Sequence, residues 1–214
     1  RPAKRNALSD PLVQRLHTVF VNLPEGVRAA VISGEGSQFC AGLDLSELVA
    51  RDIHSGVLHS RMWHAAFDTI QFGSVPVVVA LHGAVVGGGL ELAASCHIRV
   101  ADDSTYYGLP EGQRGIFVGG GGAARIPRLI GVARMTDLMM TGRVFDESQM
   151  MARNVFAARD LLRIPRLHAR VDHDGPRVRH VVADDARLRG VDVGRRFEPR
   201  ERGPQEVHRA AGSA

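Results

Sequence analysis

The run VPVVVALHGAVVGGGLEL, from Val75 to Leu92, limits what this chain can fold into more than any other stretch. Residues 75–81 are apolar and largely β-branched with no polar alternation, the pattern of a strand buried on both faces. Gly87-Gly88-Gly89 follows, and then a helical stretch from Leu90 to Cys96. A strand that passes through bare glycines into a helix leaves unpaired N–H groups at the helix start. Without Cβ atoms, a ligand can approach that backbone closely. Glu91 stands beside the turn. The stretch therefore predicts a site where developing negative charge meets backbone donors next to a carboxylate.

The rest of the chain alternates strands and helices, which predicts an α/β fold. Ser9 is placed as the N-cap of a helix carrying Leu12, Val13, Leu16, Val19, Phe20 and Leu23 at helical spacing. Val27–Ser33 reads as a buried strand, and Ser46 to about Phe72 as a helix with Leu58, Met62, Ala65, Ala66 and Ile70 on its apolar side. His97–Ala101 and Thr105–Gly108 read as strands, Ala123–Ile130 and Ala133–Met140 as helices. With 44% hydrophobic and 23% charged residues among 214, the chain can bury one sizeable core.

Several functional classes are excluded. No run reaches the roughly 18 apolar residues of a membrane span. Two cysteines, Cys40 and Cys96, are too few for a disulfide scaffold, which points to a reducing cytoplasm. The single lysine, Lys4, leaves no Gly-Lys-Ser/Thr phosphate loop, and Leu92 occupies the third glycine position of a dinucleotide fingerprint. There is no Gly-x-Ser-x-Gly elbow. His54, His59 and His64 lack metal-ligand spacing, so no metal is expected. The formal net charge of +4 owes much to the C-terminal region, where from about Asn154 arginines crowd among Gly, Pro, His and Asp without any lasting period. Residues 1–150 are therefore read as the core and 151–214 as an arginine-rich tail. Lacking lysines and interleaved aromatics, the tail fits a shifted reading of GC-rich codons better than a nucleic-acid-binding arm.

Taken together, four motifs resemble the enoyl-CoA hydratase/isomerase (crotonase) superfamily. They are Arg5-Asn6-Ala7-Leu8; Phe39-Cys40-Ala41-Gly42-Leu43-Asp44; His82 through Ala93; and Leu109-Pro110-Glu111 with Gly115 and the glycine run ahead of Arg125-Ile126-Pro127-Arg128-Leu129. The resemblance covers roughly residues 1–150. It implies a spiral of repeated ββα units whose first strand is truncated ahead of Arg1 and whose C-terminal region is atypical. It implies an acyl-CoA substrate, with coenzyme A part of that substrate and no separate cofactor. A homotrimer or dimer of trimers is the assembly expected from it.

Site roles follow from the same resemblance. The amides of Ala41 and Gly88 would grip the thioester oxygen. Ala41, Gly42, Leu43, Asp44, Gly87 and Gly88 would line the CoA side. Glu91 would activate a water and Glu111 would supply the α-proton. Hydration needs such a base and acid pair, and both carboxylates are present. The expectation is an enoyl-CoA hydratase converting 2-enoyl-CoA to 3-hydroxyacyl-CoA in fatty-acid or related acyl-CoA metabolism. The alternatives are an isomerase or C–C lyase of the same superfamily, or a non-catalytic CoA- or nucleic-acid-binding module.

Overall fold

A computed structural model describes residues 1–146, Gln149 and the backbone of Phe156–Ala157. Among the described residues, seven strands form two sheets and five α-helices pack against them. The first sheet runs β1 (Ala30–Ser33), β2 (Val77–Leu81), β4 (Ile98–Ala101) and β7 (Phe156–Ala157), all parallel. The second runs β3 (Ala84–Val86), β5 (Tyr106–Gly108) and β6 (Phe145–Asp146). Consecutive strands go to different sheets: β2 then β3 then α3 (Gly88–Ser95), and β4 then β5 then α4 (Gly122–Ile130). Cys40 plays the second-strand part for the turn that begins at β1, pairing with Val85 before the chain enters α2 (Ile53–Gln71). This is the repeated ββα winding expected from the sequence.

The buried run at 75–81 is β2, with Val77 and Val79 fully buried. Its neighbour β3 was not separately foreseen. Gly83, at φ +53°, breaks the extended run between them and sends Ala84–Val86 to the other sheet. The glycines after β3 are not a linker either, because Gly88 and Gly89 form the first turn of α3. A Cβ on Gly89 would stand 2.6 Å from the Cys40 carbonyl oxygen, and one on Gly88 would stand 2.9 Å from the Trp63 ring. Backbone and ring occupy the space a side chain would need.

Two helix starts differ from expectation. Ser9 holds the N-cap position of α1 (Asp10–Val21), but its side chain makes no capping bond. The helix expected from Ser46 begins at Ile53, because the segment carries two caps rather than one. Asp44 accepts from the Ser46 amide at 3.1 Å and closes a short 3-10 turn, Leu45–Glu47. Asp52 then accepts from the Ser55 amide at 2.7 Å and starts α2. Finally, α5 (Val132–Thr141) follows α4 after Gly131. The first sheet continues past the expected core boundary at residue 150, since Val100 and Ala101 pair with Phe156 and Ala157. Of the arginine-rich tail, 151–214, all but the backbone of Phe156–Ala157 lies outside the described residues.

Two glycines in helices make opposite predictions. Gly56 in α2 has open space where a Cβ would go, so Gly56→Ala should stabilise the chain by about 0.5–1 kcal/mol through helix propensity. Gly89→Ala should instead lower Tm by several degrees, the collision with Cys40 outweighing propensity. Thermal unfolding of the two variants against the parent checks both.

Candidate active site

The site is built where the segment after Phe39 runs alongside β3. The Cys40 amide donates to the Ala84 carbonyl at 2.9 Å, and the Val86 amide donates to the Cys40 carbonyl at 3.1 Å. On its other side the same segment pairs with Leu8: the Leu8 amide donates to the Gly42 carbonyl at 2.7 Å, and the Asp44 amide donates to the Leu8 carbonyl at 2.8 Å. Gly42, at φ +91°, is pressed so close that a Cβ there would lie 2.8 Å from the Val86 oxygen and 3.4 Å from the Gly88 nitrogen. Only glycine fits this crossing.

This hydrogen-bond pattern corrects one expected donor. The Ala41 amide donates to the Arg5 carbonyl at 3.0 Å and is therefore spent. The Leu43 amide is different. It shares a planar trans peptide with the Gly42 carbonyl, so the two point in opposite directions. Since that carbonyl faces Leu8, the Leu43 N–H faces the β3 side, where Gly88 opens α3. Neither the Leu43 nor the Gly88 amide donates to an acceptor among the described residues. The amide left open in this segment is thus that of Leu43, two residues beyond Ala41. A backbone donor has no side-chain signature, so residue identity alone could not locate it.

Asp44 is tied into the loop itself. Its carboxylate is held by the Arg1 guanidinium at 2.6 Å and by the Ser46 amide and hydroxyl. These partners hold its pKa down at about 2, Arg1 most of all. Asp44 braces the loop.

The two glutamates lie deep in the same region, Glu91 3% and Glu111 7% exposed. Glu91 projects from the first turn of α3 into the glycine run between β5 and α4. Its Oε1 accepts from the amides of Gly120 and Gly122, both at 2.8 Å. Burial pushes its pKa up to about 7; the nearby Glu111 charge adds to the rise, while the two amides and Arg125 oppose it. Glu111 stands at the head of a 3-10 turn, Gly112–Arg114. Its Oε1 is 2.8 Å from where a Cβ of Gly87 would be, which places the carboxyl against the α3 glycines. Its Oε2 is buried and takes no hydrogen bond among the described residues. Burial raises its pKa as well, with Arg114 opposing. The structure therefore gathers Gly42, Leu43, Gly87, Gly88, Glu91 and Glu111 at one place.

Side chains from α2 complete the walls, a contribution the apolar spacing of that helix did not reveal. Trp63 covers Gly88, and Phe67 meets Trp63 edge-on with ring centroids 5.8 Å apart. The Trp63 indole N–H and the His59 ring both contact Asp10 Oδ1 on α1, at 3.3 and 2.8 Å. No group of three His, Cys, Asp or Glu side chains among the described residues could hold a metal. No helix among them is long and apolar enough to cross a membrane.

The sequence profile described as enoyl-CoA hydratase/isomerase matches residues 1–155. The chain belongs to that family. The fatty acid oxidation complex subunit alpha of Shewanella amazonensis is 49% identical over 116 residues, covering 53% of this chain and 16% of that protein. Its counterpart in Shewanella loihica is 45% identical over 130 residues, covering 59% and 18%. The chain thus spans less than a fifth of the length of these curated relatives. Among solved structures, a provisionally named enoyl-CoA hydratase from Rhodopseudomonas palustris shares 55% identity at TM-score 0.71, covering 73% of this chain and 62% of that one. Another from Thermobifida fusca, solved in complex with CoA, shares 27% identity at TM-score 0.66, covering 75% and 67%. The α/β spiral of the family is the fold seen here.

The buried carboxylates set a pH dependence of stability. Glu91 has a raised folded pKa, so the folded state favours its protonated form. It costs no stability below the ordinary value of 4.5, progressively more as pH rises to about 7, and a constant amount above that. Glu91→Gln should accordingly gain Tm relative to the parent between pH 4.5 and 7 and keep a constant advantage at higher pH. Calorimetric scans across that range check it; an advantage confined to low pH contradicts the burial of the charge.

Proposed function

We propose that the chain is an enoyl-CoA hydratase, a hydro-lyase acting on 2-enoyl-CoA thioesters in fatty-acid or related acyl-CoA metabolism. The observation that carries this reading is the pairing of two unspent amides, Leu43 and Gly88, with two buried carboxyls, one of them with an unpartnered oxygen. The thioester oxygen accepts from both amides, each worth about 3 kcal/mol as its charge develops toward an enolate. Both donors are backbone groups already fixed by β3 pairing and helix geometry, so little reorganisation accompanies the reaction.

Hydration then divides between the carboxyls. Ionised Glu91 takes a proton from water as the water oxygen bonds to the β-carbon. Protonated Glu111 gives its proton to the α-carbon. Together the steps add one water across the double bond, and proton exchange between the two carboxyls and solvent resets the pair. Burial suits both roles. It lifts Glu91 to about 7, the range where a base works best near neutral pH, and raises Glu111 in the same direction. A CoA-thioester ligand is supported by the related Thermobifida fusca protein solved with CoA. The same reading includes a cytoplasmic location, no cofactor beyond the substrate's own coenzyme A, and a homotrimer or dimer of trimers. The exposed apolar side chains Leu45, Leu48, Val49 and Ile53 support association.

The full chain should remove the conjugated-enoyl absorbance of crotonyl-CoA and yield 3-hydroxybutyryl-CoA. Glu91→Gln and Glu111→Gln should each slow this by roughly 100-fold or more. Activity of the parent should fall as pH drops through about 7, as Glu91 takes up a proton. A shifted double bond or a cleaved carbon skeleton as product would move the chain to the isomerase or C–C lyase branch. Full activity in both variants would remove the carboxyls from the mechanism.

A further inference from the structure

Glu91 is held by a glycine run that cannot hold its own shape. Gly119 to Gly122 have no side chains to fix them, yet two of their amides place the Glu91 carboxylate. What fixes the run is a side chain from the helix that follows. The Arg125 guanidinium is buried at 7% exposure and has partners on three sides. Its Nη1 donates to the Gly120 carbonyl at 2.9 Å, its Nε to Gln71 Oε1 at 2.6 Å, and its Nη2 to Asp68 Oδ1. A Cβ on Gly121 would collide with Nη1, so the run closes tightly around the guanidinium. Gly120 is thus gripped at both ends, its carbonyl by Arg125 and its amide by Glu91.

We propose that Arg125, clamped by Asp68 and Gln71 of α2, is a positioning residue for Glu91: it sets the shape of the glycine run and holds a positive charge beside the carboxylate. The clamp needs arginine's planar fork, since a lysine ammonium cannot reach a carbonyl, an amide oxygen and a carboxylate in three fixed directions. Nor is the charge wholly cancelled by its partner. Asp68 has a side chain 48% exposed to water, which screens it, while Arg125 faces inward. The groups that face Glu91 are few. Glu111 approaches from the loop after β5 and opposes ionisation, and Arg125 approaches from α4 and favours it. On α2, Asp68 lies behind Arg125, and a His64 ring carbon lies 3.1 Å from where a Gly121 Cβ would be.

The test reads the Glu91 midpoint directly, by NMR titration of the full chain labelled with 13C at glutamate carboxyls, assigned by the resonance that Glu91→Gln removes. Arg125→Gln should move the midpoint up by roughly half a pH unit or more, and Asp68→Asn should move it down. Arg125→Lys, which keeps the charge but not the fork, should move the midpoint up by less than Arg125→Gln does. The kinetic arm rests on the hydratase reading. In it, the acid limb of crotonyl-CoA hydration should follow the midpoint in each variant. Arg125→Gln and Arg125→Lys should both lower kcat by roughly tenfold with little change in KM. Midpoints unchanged in Arg125→Gln and Asp68→Asn, or shifted in the same direction, overturn the proposal. If Arg125→Gln does not fold, the Asp68→Asn midpoint decides alone, and its failure to fall overturns it. Opposite shifts in a parent that hydrates no enoyl-CoA would uphold the positioning role and remove the hydratase reading instead.

Discussion

The architecture of the site depends on one close backbone approach. The 40–44 segment lies between Leu8 and β3, bonded on both sides, with Gly42 pressed against Val86 and Gly88. Side chains at 42 or 89 would force the segment off α3. With them absent, the unpaired N–H at the helix start stands next to a loop amide that the pairing pattern itself turns toward it. The donor pair is thus a by-product of strand pairing. It needs no dedicated side chain, and its rigidity is that of the sheet.

Around that crossing the protein buries two carboxyls, which ordinarily costs several kcal/mol each unless hydrogen bonds or opposite charge offset it. Glu91 is compensated by two glycine amides and a guanidinium, Glu111 less fully, with one oxygen unpartnered. Burial raises both carboxyls toward the range in which acid–base work is done near neutral pH. The α2 helix supports the arrangement twice. Its Trp63 lies against Gly88 and its Phe67 against Gly120, and its Asp68 and Gln71 hold the arginine that shapes the glycine run.

Much of this was legible from residues. Val77–Leu81 declared a doubly buried strand, Gly87–Gly89 a close backbone approach and Glu91 a carboxylate beside it, since each depends on local residue type and spacing; Glu111 as its counterpart is what the family resemblance implies. What could not be read were features settled by pairing across distant segments. The break at Gly83 that separates β2 from β3 depends on a second sheet. The choice between Ala41 and Leu43 as donor depends on which neighbour takes each amide, and Arg5 and Leu8 lie more than thirty residues away in sequence. The start of α2 at Ile53 was hidden because Asp44 and Asp52 each cap a separate turn.

By itself, then, the amino-acid order determined the alternation of buried strands and helices, the places where backbone must stand bare, and the carboxylate set beside them at Glu91. Hydrophobic period and missing Cβ atoms are local properties, so they survive without knowledge of the fold. The tertiary structure decided which amides remain unspent, how far burial lifts each carboxyl, and which side chain of α4 steadies a run of four glycines. Those outcomes depend on partners brought together from distant parts of the chain.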